Sequence, residues 1–199
     1  MGCIMTRLEY EQHCWQSNGL LLGIDEAGRG PLAGELVVCG VILHPHNIHP
    51  DLNDSKKLSE KKRELLYKWI MDNAQCVCIE IVNVETIDQL NIYQATKQAM
   101  IKIKQQCPQA TSVITDAMPL DDEHVLAIVK ADQKSMSVAA ASIVAKVVRD
   151  HRMLELDQLY PNYGFKQHKG YPTKAHYQAI AQYGITPYHR TSFRLFKNE

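Results

Sequence analysis

The chain has 199 residues, 45% of them apolar, with 22 basic and 22 acidic side chains and a formal net charge of zero. That length suits one α/β domain with a buried core and at most a small appendage. No apolar run approaches the ~18 residues of a membrane helix, and the opening stretch MGCIMTRLEYEQHC lacks the apolar centre of a signal peptide. Gly2 behind Met1, with Thr6, fits the myristoylation pattern, but no polybasic patch stands beside it, so the match reads as coincidence.

In chain order, residues 20–26 (LLLGIDE) read as a buried strand closed by a Gly-rich turn, and residues 34–44 as a second strand rich in Val and Ile. A Pro/His/Asn loop at 45–53 separates them from a helix that Ser59 caps and Glu60 opens, with Leu65, Leu66, Trp69 and Ile70 at helical spacing. Residues 76–82 (CVCIEIV) give a third strand. Residues 84–106 give one helix, with Ile87, Leu90, Tyr93, Met100 and Ile103 on a face. Strands follow at 112–116 and 125–130. A long helix then runs from Ser135 to Leu159, its Ala-rich start suited to close packing on the sheet. Tyr160-Pro161 ends it, and a loop with Gly164 and Gly170 leads to a last helix near 173–183. The alternation predicts an α/β fold: a mixed sheet flanked by helices, as a single domain. Its core covers about 18–159, with a small helical C-terminal appendage at about 160–199.

The six cysteines are Cys3, Cys14, Cys39, Cys76, Cys78 and Cys107. No C-x-x-C pair occurs, which argues against a zinc ribbon or redox motif. Cys39, Cys76 and Cys78 lie in apolar runs and read as small buried hydrophobes of a reducing, cytoplasmic protein. His44, His46 and His49 read as a surface loop rather than an accessory metal site, because no acid or Cys completes a ligand set.

Charge is unevenly placed. Residues 146–199 hold nine Lys or Arg against four Asp or Glu, and residues 1–145 hold thirteen against eighteen. Charge by itself favours an ordinary mixed surface, but an acidic body with a basic C-terminal section also suits a carboxylate metal site beside a phosphate-gripping surface. Asp25 and Glu26 end the first expected strand, Asp116 ends the fourth, and Asp132 follows the fifth. Taken singly, each reads best as a turn or helix cap. Together, carboxylates at the carboxyl ends of neighbouring strands can share hard ions such as Mg²⁺ or Mn²⁺. Because adjacent strand residues point to opposite faces, Asp25 and Glu26 reach one site only if the strand is already breaking there, which Gly28, Gly30 and Pro31 make reasonable.

The run Gly23-Ile24-Asp25-Glu26-Ala27-Gly28-Arg29-Gly30-Pro31-Leu32-Ala33-Gly34 resembles the opening motif of the ribonuclease HII family. Further stretches are similar to that family in order: 54–58 (DSKKL), 116–118 (DAM), 130–135 (KADQKS), the Ala-rich run 139–150, 168–173 (HKGYPT) and 189–193 (HRTSF). The similarity spans residues 21–193, nearly the whole chain. It implies a ribonuclease H-like fold and a site for two divalent ions, Mn²⁺ or Mg²⁺, with Asp25, Glu26, Asp116 and Asp132 in the positions of the family's four acids. Asp150 falls outside that set and reads as a helix-surface acid with structural contacts. The turn Gly28-Arg29-Gly30 matches the element that senses a ribose 2′-hydroxyl, and Tyr171 matches the tyrosine that touches the same ribonucleotide. Lys56, Lys57, Lys134 and Lys169 are candidate phosphate contacts. Glu35 and Cys39 depart from the small or apolar residues expected in the second strand. The absence of a long N-terminal domain and the Gly-Arg-Gly turn speak against the sister type, ribonuclease HIII.

The resemblance implies a monomeric endonuclease, with no membrane partner, that hydrolyses the ribonucleotide-containing strand. Its partners would be RNA–DNA hybrids and DNA duplexes with embedded ribonucleotides, cut 5′ of the ribonucleotide to leave 3′-hydroxyl and 5′-phosphate ends. One alternative is a catalytically silent nucleic-acid-binding module of the same fold, which would have a broken acid set. Another is a resolvase-like transferase, which would lack Gly28-Arg29-Gly30 and Tyr171.

Overall fold

The computed structural model describes residues 7–196. Cys3 and the Gly2/Thr6 pattern lie outside them. Helix α1 (Glu9–Gln16) leads into β1 (Leu21–Ala27) and β2 (Leu36–Ile42). A short 3₁₀ turn (Ser55–Lys57), α2 (Glu60–Asn73), β3 (Cys76–Val82), α3 (Val84–Leu90) and α4 (Ile92–Gln106) follow. Next come β4 (Ser112–Asp116), β5 (Val125–Ile128), a 3₁₀ turn (Ala131–Gln133) and the long α5 (Met136–Leu159). The chain ends in a 3₁₀ turn (Pro161–Tyr163), α6 (Phe165–His168) and α7 (Lys174–Tyr183).

The five strands form one mixed sheet in the order β3-β2-β1-β4-β5. β1 is antiparallel to β2 and parallel to β4, so the carboxyl ends of β1 and β4 share one edge of the sheet. Every residue of β2 is buried, as expected of a strand covered on both faces. Leu36, Val38 and Ile42 pack with Ala95, Ala99, Met100 and Ile103 of α4 on one face. Val37, Cys39 and Val41 pack with Ala140, Ala141 and Val144 of α5 on the other, where Leu66 and Ile70 of α2 close the layer. The Ala-rich start of α5 does approach the sheet closely. A Cβ on Gly23 would stand 2.3 Å from the Val138 nitrogen, so β1 and α5 touch backbone to backbone.

Ser59 and Ser135 cap α2 and α5 as their sequence positions predict, accepting from the Lys62 and Val138 amides. The single helix expected over 84–106 is two. Asn91 takes φ 64°, which breaks the helix, and its side chain accepts from the Tyr93 and Gln94 amides to start α4. The fifth strand stops at Ile128, two residues early, because Lys130 turns left-handed at φ 57°. Helix α1 carries no strong sequence pattern. Its fully buried Glu11 accepts from the Ser135 hydroxyl (2.6 Å) and the Ser137 amide (2.9 Å), placing a carboxylate on the positive end of α5. No helix among the described residues is long and apolar enough to cross a membrane.

Candidate active site

Asp25 and Glu26 do not sit at a strand break. β1 continues to Ala27 against β2, with Asp25 paired to Cys39 and Glu26 to Val38. The break is one-sided: pairing with β4 ends at Ile24, which frees that flank of β1 where Asp116 ends β4. Asp25 Oδ1 accepts from the Glu26 amide at 2.7 Å. Asp116 Oδ1 accepts from the Ala131 amide at 3.0 Å, which ties the end of β4 to the 3₁₀ turn carrying Asp132. The four expected acids therefore meet at one edge of the sheet.

Their electrostatics show how close they are. Burial, then Glu26 and Asp116, hold the Asp25 carboxyl well above the usual carboxylate range. Burial raises Glu26, and Asp116 adds to this against the opposing pull of Arg29. Burial, then the neighbouring Asp54 and Asp116, push Asp132 up to about 6. Glu26 Oε2 is buried with no hydrogen-bond partner, and its Oε1 has only Arg29 at 3.5 Å. An all-oxygen set of crowded acids with an orphaned carboxylate oxygen fits hard divalent cations, which would cancel the repulsion.

A fifth acid converges here that sequence position alone did not single out. Asp54 is buried, caps the 3₁₀ turn by accepting from the Lys56 amide (2.9 Å), and lies within hydrogen-bonding reach of Asp132. The signal was present in the 54–58 motif, but Asp54 precedes no strand end. The same turn delivers Lys56. Partial burial works against its charge, yet Asp25, Asp132, Asp54 and Asp116 outweigh this and raise its pKa. Lys57 and Lys134 are exposed, whereas Lys169 folds back, donating from Nζ to the Lys166 carbonyl at 2.8 Å.

The turn 28–34 stands beside the acids, and the C-terminal segment locks it. Gly28 takes φ 106°, and a Cβ there would meet Arg149 Nε at 2.3 Å. Two buried arginines, which lie in the motifs at 139–150 and 189–193 without a role that sequence could assign, hold the turn by its carbonyls. Arg149 donates to Glu35 O (3.1 Å) and Ala33 O (3.2 Å), and Arg190 donates to Gly34 O (2.7 and 3.0 Å) and Arg29 O (3.2 Å). The Leu32 amide donates to Gly170 O, the Gly34 amide to Tyr188 O, and Ala33 bridges His189. Gly30 and Tyr171 are thereby neighbours, since a Cβ on Gly30 would meet first the Tyr171 ring at 3.6 Å. Tyr171 is 43% exposed, with the Arg149 guanidinium 5.9 Å from its ring centre.

A chain of buried histidines supports Tyr171 from behind. The Thr186 amide donates to His189 Nδ1 (2.9 Å), so the His189 proton is on Nε2, which faces His176 Nε2 at 3.1 Å. His176 Nδ1 lies 3.0 Å from the Tyr171 carbonyl, which can only accept, so His176 donates from Nδ1 and receives at Nε2. Only two neutral rings satisfy every link, and burial lowers both pKa values to about 4.

The remaining candidates are structural. Asp150 makes a structural contact as expected, with Lys146 (2.7 Å), but is buried rather than on the helix surface. Glu35 takes a two-pronged ion pair from Arg152 (2.7 and 2.9 Å), which explains an acid beside β2. The loop histidines pack on each other and on Trp69.

The family model for ribonuclease HII matches residues 22–196. Ribonuclease HII of Levilactobacillus brevis is 50% identical over 190 residues, covering 94% of this chain and 74% of the relative. That of Coxiella burnetii (strain RSA 493) is 51% identical over 180 residues, covering 89% of both. Among solved structures, a PCNA–ribonuclease HII complex from Archaeoglobus fulgidus superposes with a TM-score of 0.74 at 28% identity, over 90% of this chain and 98% of that one. With the fold, the acid cluster and the glycine turn all in place, this chain belongs to the ribonuclease HII family, endoribonucleases that act on RNA–DNA hybrids.

Proposed function

We propose that the acid cluster is the catalytic centre of this endoribonuclease, and that it cuts immediately 5′ of a ribonucleotide in a hybrid or an otherwise all-DNA duplex. The observation that supports this most strongly is the convergence of Asp25, Glu26, Asp116 and Asp132 beside the Gly30–Tyr171 contact. The four acids would hold two divalent cations, Mg²⁺ or Mn²⁺, which when bound supply the positive charge that activates water and stabilises the departing oxygen.

The chain's own residues do the rest. Arg149 and Arg190 fix the turn 28–34, so its backbone groups are held ready for a ribose 2′-hydroxyl, the group that separates RNA from DNA. The exposed Tyr171 ring closes over the sugar, and its hydroxyl offers a second polar contact. Lys56 places an ammonium among the acids, where it can meet the scissile phosphate, while the exposed Lys57 and Lys134 and, after reorientation, Lys169 grip flanking phosphates. Residues 160–199, of which 197–199 lie outside the described residues, serve as the substrate-binding appendage of a single unit, an assignment supported by the bonds of Gly170, Tyr188 and Arg190 to the turn.

The test is cleavage of a DNA duplex with one ribonucleotide, an all-DNA duplex and an RNA–DNA hybrid, each with Mg²⁺, Mn²⁺ or chelator. We expect cation-dependent 3′-hydroxyl and 5′-phosphate ends at the ribonucleotide and none in all-DNA. Cleavage of all-DNA, or binding without cleavage under every cation, would overturn the proposal.

A further inference from the structure

The sequence offered no C-x-x-C pair, yet the fold gathers three thiols. Cys76 and Cys78 lie two residues apart on β3 and so share a face, and Cys107 caps the carboxyl end of α4 directly beside them. Their Sγ atoms form a nearly regular triangle with sides of 3.7, 3.7 and 3.3 Å. We propose that Cys76, Cys78 and Cys107 form a binding site for one thiophilic d¹⁰ cation of the zinc class, separate from the acid cluster.

The geometry fits that ion. With Zn–S bonds of ~2.3 Å, tetrahedral thiolates stand ~3.8 Å apart, close to two of the three sides. An ion at that distance from all three sulfurs sits about 1.0 Å above their plane, leaving a fourth position for water or another donor. A disulfide would use two sulfurs ~2 Å apart and leave the third idle, whereas these separations are nearly equal. The surroundings agree. Cys107 stands at the negative end of the α4 dipole, which attracts a cation. β3 is an edge strand, and Cys76 and Cys78 are only half-buried, so an ion has a path in. Without metal, burial keeps the Cys78 and Cys107 thiols protonated, so loading must release protons.

The site is also apart from the nuclease centre. The thiols border the α4 face of the sheet, two strands from β1, while Asp25 pairs with Cys39 on the α5 face. Hard Mg²⁺ has little affinity for thiolates, and Zn²⁺ and Co²⁺ favour them.

The test uses the full chain, reduced and stripped by chelator, in excess Mg²⁺ so that the acids are engaged. Co²⁺ titration should give a sulfur-to-cobalt charge-transfer band that saturates at one equivalent, releases protons and is displaced by Zn²⁺. The Cys76→Ser and Cys107→Ser variants should each lose the band, and Cys14→Ser should keep it. If Cys107→Ser fails to fold, Cys78→Ser takes its place. The Asp25→Asn/Asp116→Asn variant should bind cobalt like the parent chain. No thiolate band, a band that survives both serine variants, or capture of Cu⁺ without Zn²⁺ or Co²⁺ would overturn the site.

Discussion

The two histidines behind Tyr171 make acid a selective perturbation of the C-terminal segment. Each ring has a pKa near 4 in the folded chain against 6.5 when free. Because the folded value is depressed, the associated stabilisation is complete above pH 6.5 and is lost as pH falls toward 4. The drop from 6.5 to about 4 corresponds to about 3 kcal/mol for one ring. The rings share one hydrogen bond, so their contributions overlap rather than add, which leaves a combined loss of ~2–3 kcal/mol. For a chain of this size that is a fall of ~4–12 °C in Tm. The crowded acids at the ends of β1 and β4 respond in the opposite sense, since protonation relieves their repulsion, so the informative quantity is the difference between two proteins. His189→Gln keeps a donor toward His176 and loses the acceptor for the Thr186 amide. It should begin less stable at pH 7 by about 1 kcal/mol and then lose less than the parent between pH 7 and 4.5. Thermal unfolding by circular dichroism measures both slopes, and ring-proton NMR reports each histidine. Rings that titrate near 6.5 in the folded protein would refute the assigned protonation states and the support they give to Tyr171.

Three further outcomes are expected. Asp116→Asn should lower cleavage of a single-ribonucleotide duplex by more than ~100-fold with an unchanged fold by circular dichroism, and full activity would remove the acid cluster from the chemistry. Activity on the same substrate should fall in the order parent, Tyr171→Phe, Tyr171→Ala, while calorimetry shows unchanged Mn²⁺ affinity; an alanine variant at the parent rate would exclude this role for Tyr171. Gly23→Ala should destabilise by about 3 kcal/mol or more, because the added Cβ strikes the backbone of α5. Urea unfolding reads this directly, and a parent-like midpoint would mean that β1 and α5 are not in backbone contact.

Sequence by itself determined the strands and the serine caps, because these follow from local patterning in apolar runs and hydroxyls at helix starts, and it pointed to the four acids through three short motifs similar to the family's. It misjudged what depends on a neighbour. The split at Asn91 turns on one backbone angle that helical spacing hides. The reach of Asp25 and Glu26 into one site depends on which flank of β1 loses its partner, and that is a fact of pairing with β4. Asp54, Arg149 and Arg190 lie far from the residues they serve, so no window of sequence shows a buried guanidinium donating to a turn over a hundred positions away. The cysteines make the same point. Spacing finds metal ligands when they lie close along one segment, whereas Cys107 reaches Cys76 and Cys78 only because α4 packs back across the strand that precedes it. Local patterning decides which elements form; only tertiary packing decides which side chains meet, since contact between distant residues depends on how whole elements dock.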